Sequence, residues 1–256
     1  MWSGFLRFVL GCLCVAVWAA FAKIPLRAPR EEWTAIALIS VLFTIQIALM
    51  NFGFAATTGT NSAVLIATNP LFGLLFAHFL IPGDRVRVPR VLGAAIAFFG
   101  TMFVLTRGAL PSSSAGLDTG DLTVLASAAL LGLRLALCGR YLKHVNEVRL
   151  VFWMMLLSLP IFLVGGAGFE TIRWEKIGFA PIAGILYQGA VVAGLAFTVN
   201  FYLIRRYTPS VMISFNFASP VVGVALSIWI LSEPVVPSVL IGMALVAFGL
   251  ALIARR

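Results

Sequence analysis

The sequence predicts an all-α membrane protein, a bundle of about nine transmembrane helices in two inverted repeats. Three observations lead there. The 256 residues are 61% hydrophobic and only 11% charged, with a mean hydropathy of +1.06, well outside the range of soluble domains. Apolar segments occur at about 4–22, 33–56, 61–81, 91–106, 121–142, 150–168, 178–204, 210–231 and 238–254. They suit a bilayer core about 30 Å thick, which takes roughly 20 helical residues per crossing, and they lack the two-residue alternation of barrel strands. Finally, the stretch 60–107 returns as 210–256. The first copy carries Asn69-Pro70, Gly73, Gly93 and Gly100; the second carries Ser219-Pro220, Gly223, Gly242 and Gly249, offset by 150 and then 149 residues.

The hinge of the first copy, Pro82-Gly83-Asp84-Arg85-Val86-Arg87-Val88-Pro89-Arg90, is basic, whereas Ser232-Glu233-Pro234-Val235-Val236-Pro237-Ser238 in the second has no Lys or Arg. Cytoplasmic loops are rich in Lys and Arg, so the hinges are expected on opposite sides and the copies inverted. Inverted repeats are a common architecture of secondary transporters, with the substrate site near the midplane.

In chain order, the first segment holds Arg7 and ends in Ala20-Phe21-Ala22, which also reads as a signal-peptide cleavage site. Cleavage would leave Lys23, Arg27 and Arg30 outside, against the charge rule, so a retained helix is the reading. The second segment contains Gln46 and Asn51, amides that bond across membrane helices or line a path. The third contains Asn69-Pro70 and, near its cytoplasmic end, His78. A proline frees the carbonyl four residues earlier: Ile66 here, and Asn216 ahead of Pro220 in the eighth segment. Either these carbonyls line a cavity at a hinge, or Asn69 and Ser219 satisfy them in static kinks. The longest linker, 107–120, is rich in Ser, Gly and Pro and divides the chain. The domains expected are a first repeat of four helices at 1–107, a loop at 108–120 and a second repeat of five helices at 121–256.

The fifth segment carries Arg134, roughly 4 Å from its centre at about 1.5 Å per residue. An unpaired arginine there costs about 2.5–3.5 kcal/mol on insertion scales. It is read either as a cation that receives a substrate carboxylate or phosphate, or as a structural group bonded to carbonyls or a neighbouring amide. In the seventh segment Tyr187 and Thr198 are 11 residues apart, within about 20° on an α-helical face. That face is expected to line the pathway, flanked by Gln188 and Asn200. Trp2, Trp18, Trp33, Trp153, Trp174 and Trp229 fall near segment ends, as an interfacial belt requires.

Sorting loops alternately puts Lys23, Arg27, Arg30, Arg85, Arg87, Arg90, Arg140, Lys143, Arg149, Arg205, Arg206, Arg255 and Arg256 on one side, 13 of the 18 basic residues. Arg7, Arg107, Arg173 and Lys176 fall opposite. The basic side is therefore read as cytoplasmic, with the C-terminus inside. A net charge of +9 would suggest nucleic acid for a soluble protein; here it reads as loops facing anionic lipid. Cys12, Cys14 and Cys138 lie in apolar runs without metal-ligand spacing, so no metal or cofactor is expected. No G-x-x-x-x-G-K-[ST], H-E-x-x-H or G-x-S-x-G motif is present, and an enzyme is not the reading. All nine carboxylates lie in loops or at helix ends, which leaves proton coupling without an evident intramembrane carboxylate.

Leu6-Arg7-Phe8, the Asn69-Pro70-Leu71-Phe72-Gly73 helix with its basic hinge, and Leu231-Ser232-Glu233-Pro234 before a glycine-bearing last helix resemble the EamA-type branch of the drug/metabolite transporter superfamily. The resemblance covers nearly the whole chain. It implies two inverted repeats of five helices and an inner-membrane carrier of small molecules, often an exporter. The family pattern has ten helices; here Leu6-Arg7-Phe8 resembles the start of the second, so the first is read as absent. The function expected is secondary transport of a small organic solute, amino acid-like or anionic, by alternating access. The alternative is a truncated or non-transporting subunit that needs a partner helix. Expected partners are the substrate and the lipid bilayer, with no nucleic acid and with a homodimer left open.

Overall fold

The computed structural model describes residues 1–84, 87–106, 118–170, 178–231 and 237–254. Among them every regular element is helical. The α-helices are α1 (Trp2–Phe21), α2 (Trp33–Ala56), α3 (Gly59–Ile66), α4 (Asn69–Leu80), α5 (Val88–Thr106), α6 (Thr119–Tyr141) and α7 (Glu147–Phe169). They continue with α8 (Phe179–Leu186), a π-helical stretch (Tyr187–Ala196), α9 (Phe197–Arg206), α10 (Pro209–Ser214), α11 (Ala218–Leu231) and α12 (Pro237–Ala254). Nine runs among the described residues are long and apolar enough to cross a membrane.

Contacts divide the chain into two compact units: Met1–Ala48 with Cys138–Arg206, and Leu49–Leu137 with Tyr207–Arg256. Each unit therefore draws helices from both halves of the sequence.

In the first unit α1 packs on α7 and on the π-helical stretch. Lipid tails are as apolar as leucine, so close packing rather than water exclusion holds such helices together. Small residues make the approach possible. A Cβ built on Gly11 would lie 2.8 Å from the Met155 sulfur and 2.9 Å from Ala193 Cβ, and one on Gly189 would lie 3.0 Å from the Arg7 carbonyl oxygen. Phe8 fills the centre, its ring 4.9 Å from Phe43 and 5.4 Å from Phe162. At one end Arg149 binds the 23–32 connection. Its Nη1 donates to both Glu32 carboxylate oxygens at 2.6 Å and its Nε to the Pro25 carbonyl at 3.0 Å, while Trp153 Nε1 donates to Leu26 O at 2.8 Å. The indoles of Trp33 and Trp153 stack edge to face beside it.

The second unit contains the repeated stretch. Its strongest packing is α5 on α12, the repeat mates of one another. A Cβ on Gly93 would lie 2.7 Å from Gly249 O, and one on Gly100 would lie 2.8 Å from Gly242 O; the reciprocal distances are 2.5 and 2.6 Å. As position rises by seven in α5 it falls by seven in α12, so the mates run antiparallel. The repeat-related glycines read in sequence are therefore the close-approach points of a self-complementary contact. Leu74, Ala94, Ala97, Phe217, Val246 and Ile253 complete the core around it. α6 in turn lies antiparallel to the end of α2, where a Cβ on Gly53 would meet Val124 and one on Gly120 would meet Ala56.

Candidate functional site

The two proline-bearing segments are broken helices. The chain leaves α3 at Ile66, turns through Ala67 and Thr68, and restarts as α4 at Asn69 with Pro70 in its first turn. Its repeat mate leaves α10 at Ser214, passes through a 3-10 turn at Phe215–Phe217 and restarts as α11 with Pro220 near its start. A proline at the start of a helix gives up a donor that would have no intrahelical partner anyway. Each proline therefore marks a restart, where the sequence reading expected a kink or hinge in mid-run.

The breaks meet inside the second unit. Asn69 Nδ2 donates to Ile66 O at 2.8 Å, satisfying the carbonyl that Pro70 frees, and Asn69 Oδ1 accepts from Asn216 Nδ2 at 3.2 Å. One side chain thus caps its own break and ties it to the other. Ser219, the positional equivalent of Asn69, is exposed. The segments run antiparallel here, since Asn69 meets Asn216 whereas a Cβ on Gly73, four residues later, would meet Ile213, three residues earlier. α6 reaches the same break. A Cβ on Gly132 would lie 2.6 Å from the Gly73 amide nitrogen and 2.8 Å from Asn69 O.

Arg134 follows Gly132 by two residues in α6 and is only 4% exposed. The second unit also holds Asn51, whose buried Nδ2 has no hydrogen-bond acceptor among the described residues. Two buried carboxylates close its ends. Thr57 Oγ1 donates to Asp121 at the start of α6. Asp84, just after the turn at Gly83 (φ 87°), accepts from the Ser210 amide at 2.9 Å, from Ser210 Oγ at 2.6 Å and from Arg90 Nη1 at 2.9 Å. The carboxylate so placed satisfies an amide at the start of α10 and neutralises a cation of the basic hinge. Arg85 and Val86 of that hinge, Glu233 and the 107–117 loop lie outside the described residues.

Tyr187, Gln188, Thr198 and Asn200 all belong to the first unit. Tyr187 is 60% exposed and Gln188 is exposed, while Thr198 and Asn200 are half-buried. The π-helical stretch begins at Tyr187 and ends just before Thr198. Its i→i+5 pattern turns less per residue than an α-helix, so eleven residues no longer return to the same face. Thr198 Oγ1 donates to Gly194 O at 2.7 Å. Gln188 instead meets Arg7, whose Nη1 donates to Gln188 Oε1 at 3.4 Å and whose guanidinium stands 4.6 Å from the Phe8 ring centroid. The sequence reading placed Arg7 in the first segment and counted its charge on the outer side; it sits in the second turn of α1.

The site is built from discontinuous helices whose breaks bear amides, in a unit that also buries Arg134, within a polytopic helical bundle whose repeat mates pack antiparallel. This is the class of membrane transporter constructed from internal repeats. The model of the EamA-like transporter family matches residues 1–106 and again 118–255, and the chain belongs to that family. It is 20% identical to the uncharacterized transporter YoaV of Bacillus subtilis, over 98% of this chain and 85% of that protein. It is 26% identical to a probable terminal-alkyne amino-acid exporter of Streptantibioticus cattleyicolor, over 94% and 80% respectively. A solved crystal structure superposes with a TM-score of 0.83 at 20% identity, covering 98% of this chain and 86% of that one. The protein is thus a multi-pass membrane transporter for small solutes.

Proposed function

We propose that this chain is a secondary carrier that exports a small amino acid-like or anionic solute across the inner membrane by alternating access, with its C-terminus cytoplasmic. The observation that carries the reading is the pair of broken helices, joined through Asn69 and Asn216 and packed antiparallel. A discontinuous helix places backbone polar groups and a flexible joint at membrane depth, which transporters use to hold solutes and to move. Arg134, buried in the same unit, supplies the cation for a carboxylate. The name of the Streptantibioticus relative supports an amino-acid substrate and the outward direction.

The test is flux of labelled amino acids and small organic acids in proteoliposomes, comparing wild type with Arg134→Ala and Arg134→Lys. Saturable flux that Arg134→Ala abolishes for acidic and zwitterionic solutes, and Arg134→Lys partly restores, supports the reading. Flux indifferent to both overturns the assignment of Arg134. Tyr187, Gln188, Thr198 and Asn200 are proposed to line the path, each tested by its alanine variant in the same assay.

A second reading is a chain that transports only with a partner helix, and it has its own observation. Gly73 is tightly packed, whereas no described atom lies within 4 Å of a Cβ on its mate Gly223. In the first copy α6 covers Gly73 through Gly132; an equivalent helix would cover Gly223. No flux from the chain alone, with flux restored by a co-expressed apolar helix, would favour this reading.

A further inference from the structure

The first unit carries an apolar groove that shares only Thr198 with the proposed transport path. It has a volume of about 500 Å³ and runs between the second half of α1 and the π-helical stretch with α9. Its walls are apolar: Val15, Trp18 and Ala22 on one side, Ala190, Leu195 and Val199 on the other. From Cys14 to Ala22 it extends eight residues, about 12 Å along a helix, most of the roughly 15 Å depth of one leaflet of a ~30 Å core. Its end opens onto a polar recess lined by Glu147, Tyr202, Arg205 and Arg206, and Glu147 and Tyr202 belong to both.

We propose that this groove binds an anionic phospholipid, with one acyl chain between α1 and α9 and the phosphodiester at Arg205 and Arg206. Charge selects the headgroup. Glu147 forms an ion pair with Arg205, so the recess carries two positive charges and one negative, a net +1 that a phosphodiester of charge −1 balances. Arg206 is exposed, without an ion pair among the described residues, and supplies the second cation, and Arg205 remains 43% exposed at its side chain beside Glu147. Guanidinium groups match phosphate oxygens in a two-pronged geometry. Trp18 and Tyr202, 60% and 46% exposed at the mouth, have the amphipathic rings that settle at headgroup depth. An apolar solute without charge would fill the groove but leave the recess unbalanced; a free anion would satisfy the recess but leave the groove open.

The test is lipid retention on the purified full chain, read by native mass spectrometry during titration with phosphatidylglycerol or phosphatidylcholine. Wild type is expected to retain phosphatidylglycerol severalfold better. Arg206→Gln, which leaves the Glu147–Arg205 pair intact, is expected to lower that preference about fivefold, the usual worth of one basic residue near an anionic headgroup. Ala190→Phe, which fills the groove without touching the recess, is expected to lower retention of both lipids. Gel filtration and a thermal melt identify any variant that has unfolded, and Arg206→Lys, which keeps the charge, must then restore the preference. Equal retention of the two lipids by wild type overturns the proposal. So does a preference unchanged in Arg206→Gln or Ala190→Phe. Displacement of the lipid by inorganic phosphate at matched concentration also overturns it, since that would mark a site for a free anion.

Discussion

Gly249→Ala puts the antiparallel pairing of α5 and α12 to a quantitative test. The added methyl would stand 2.5 Å from Gly93 O, 2.7 Å from the Ala97 nitrogen and 2.9 Å from Ala97 Cβ, whereas ordinary contact begins at 3.4 Å. The helices must separate by about the difference, 0.9 Å. The obstacle is backbone, so no rotamer change relieves it. A gap of about 0.5–1 Å forfeits a quarter to a half of the dispersion energy of each atom pair, and overpacking of this kind costs about 1–3 kcal/mol. Alanine returns about 0.8–1.0 kcal/mol of helix propensity, leaving a net loss of about 1 kcal/mol. Gly184→Ala in α8 is the control: its Cβ meets no described atom within 4 Å, and the variant should simply gain about 0.8–1.0 kcal/mol. The two variants differ by about 2 kcal/mol, or about 4–8 °C in Tm for a chain near this size. Thermal unfolding in detergent, followed by tryptophan fluorescence, measures it. A Gly249→Ala protein melting at or above wild type, level with Gly184→Ala, would refute the close contact. Gly93→Ala combined with Gly249→Ala should cost less than the sum of the singles, because one separation of the helices accommodates both methyls.

Arg149→Ala strands the nearly buried Glu32 carboxylate and the Pro25 carbonyl, and should lower stability by about 3–5 kcal/mol; Arg149→Lys should recover part of this in the same melt, since it keeps the charge. Asp84→Asn removes the charge facing Arg90 and weakens the bonds from Ser210, a loss of about 1.5–3 kcal/mol. Faster hydrogen exchange across residues 207–216 checks it, and unchanged protection there would count against the capping role. Asn69→Ala removes two hydrogen bonds and re-exposes the Ile66 carbonyl, whereas Asn216→Ala removes one. At about 0.6 kcal/mol per interhelical bond, Asn69→Ala should destabilise more, and the reverse order of melting temperatures would contradict the geometry.

Much of this fold is legible in the sequence because the bilayer leaves few alternatives. Every buried backbone group must be bonded within a helix, so hydropathy alone places the spans, and the helix limits lie within three residues of the segments read from the chain. The spacing of Gly93, Gly100, Gly242 and Gly249 marks an interface because only glycine allows a carbonyl so near. Pairing was harder to read. Arg149 and Glu32 are 117 residues apart and Arg7 and Gln188 are 181 apart, and nothing local in the chain announces either contact. The face shared by Tyr187 and Thr198 depended on 3.6 residues per turn, and the intervening π-helical geometry removes that assumption. Pro160, inside α7, shows the opposite limit: a proline in a long helix that does not divide it.

The repeat explains why the two breaks of the second unit meet through Asn69 and Asn216. Inverted mates that pack on each other present one surface twice, so α5 and α12 meet through equivalent glycines. The same relation would set Asn69 against the position of Ile66 in the other copy, and that position is Asn216. An amide there turns what would be an apolar contact into the bond that joins the breaks. Its counterpart, Ser219 against Ile66, cannot form such a bond because isoleucine has no polar side chain. The two copies therefore share packing but not polarity. The joint is bonded through Asn69 and Asn216, and Asn216→Ile, which leaves the Asn69 amide facing an apolar side chain, should weaken it by about 0.6 kcal/mol, a threefold change in any equilibrium that opens this contact.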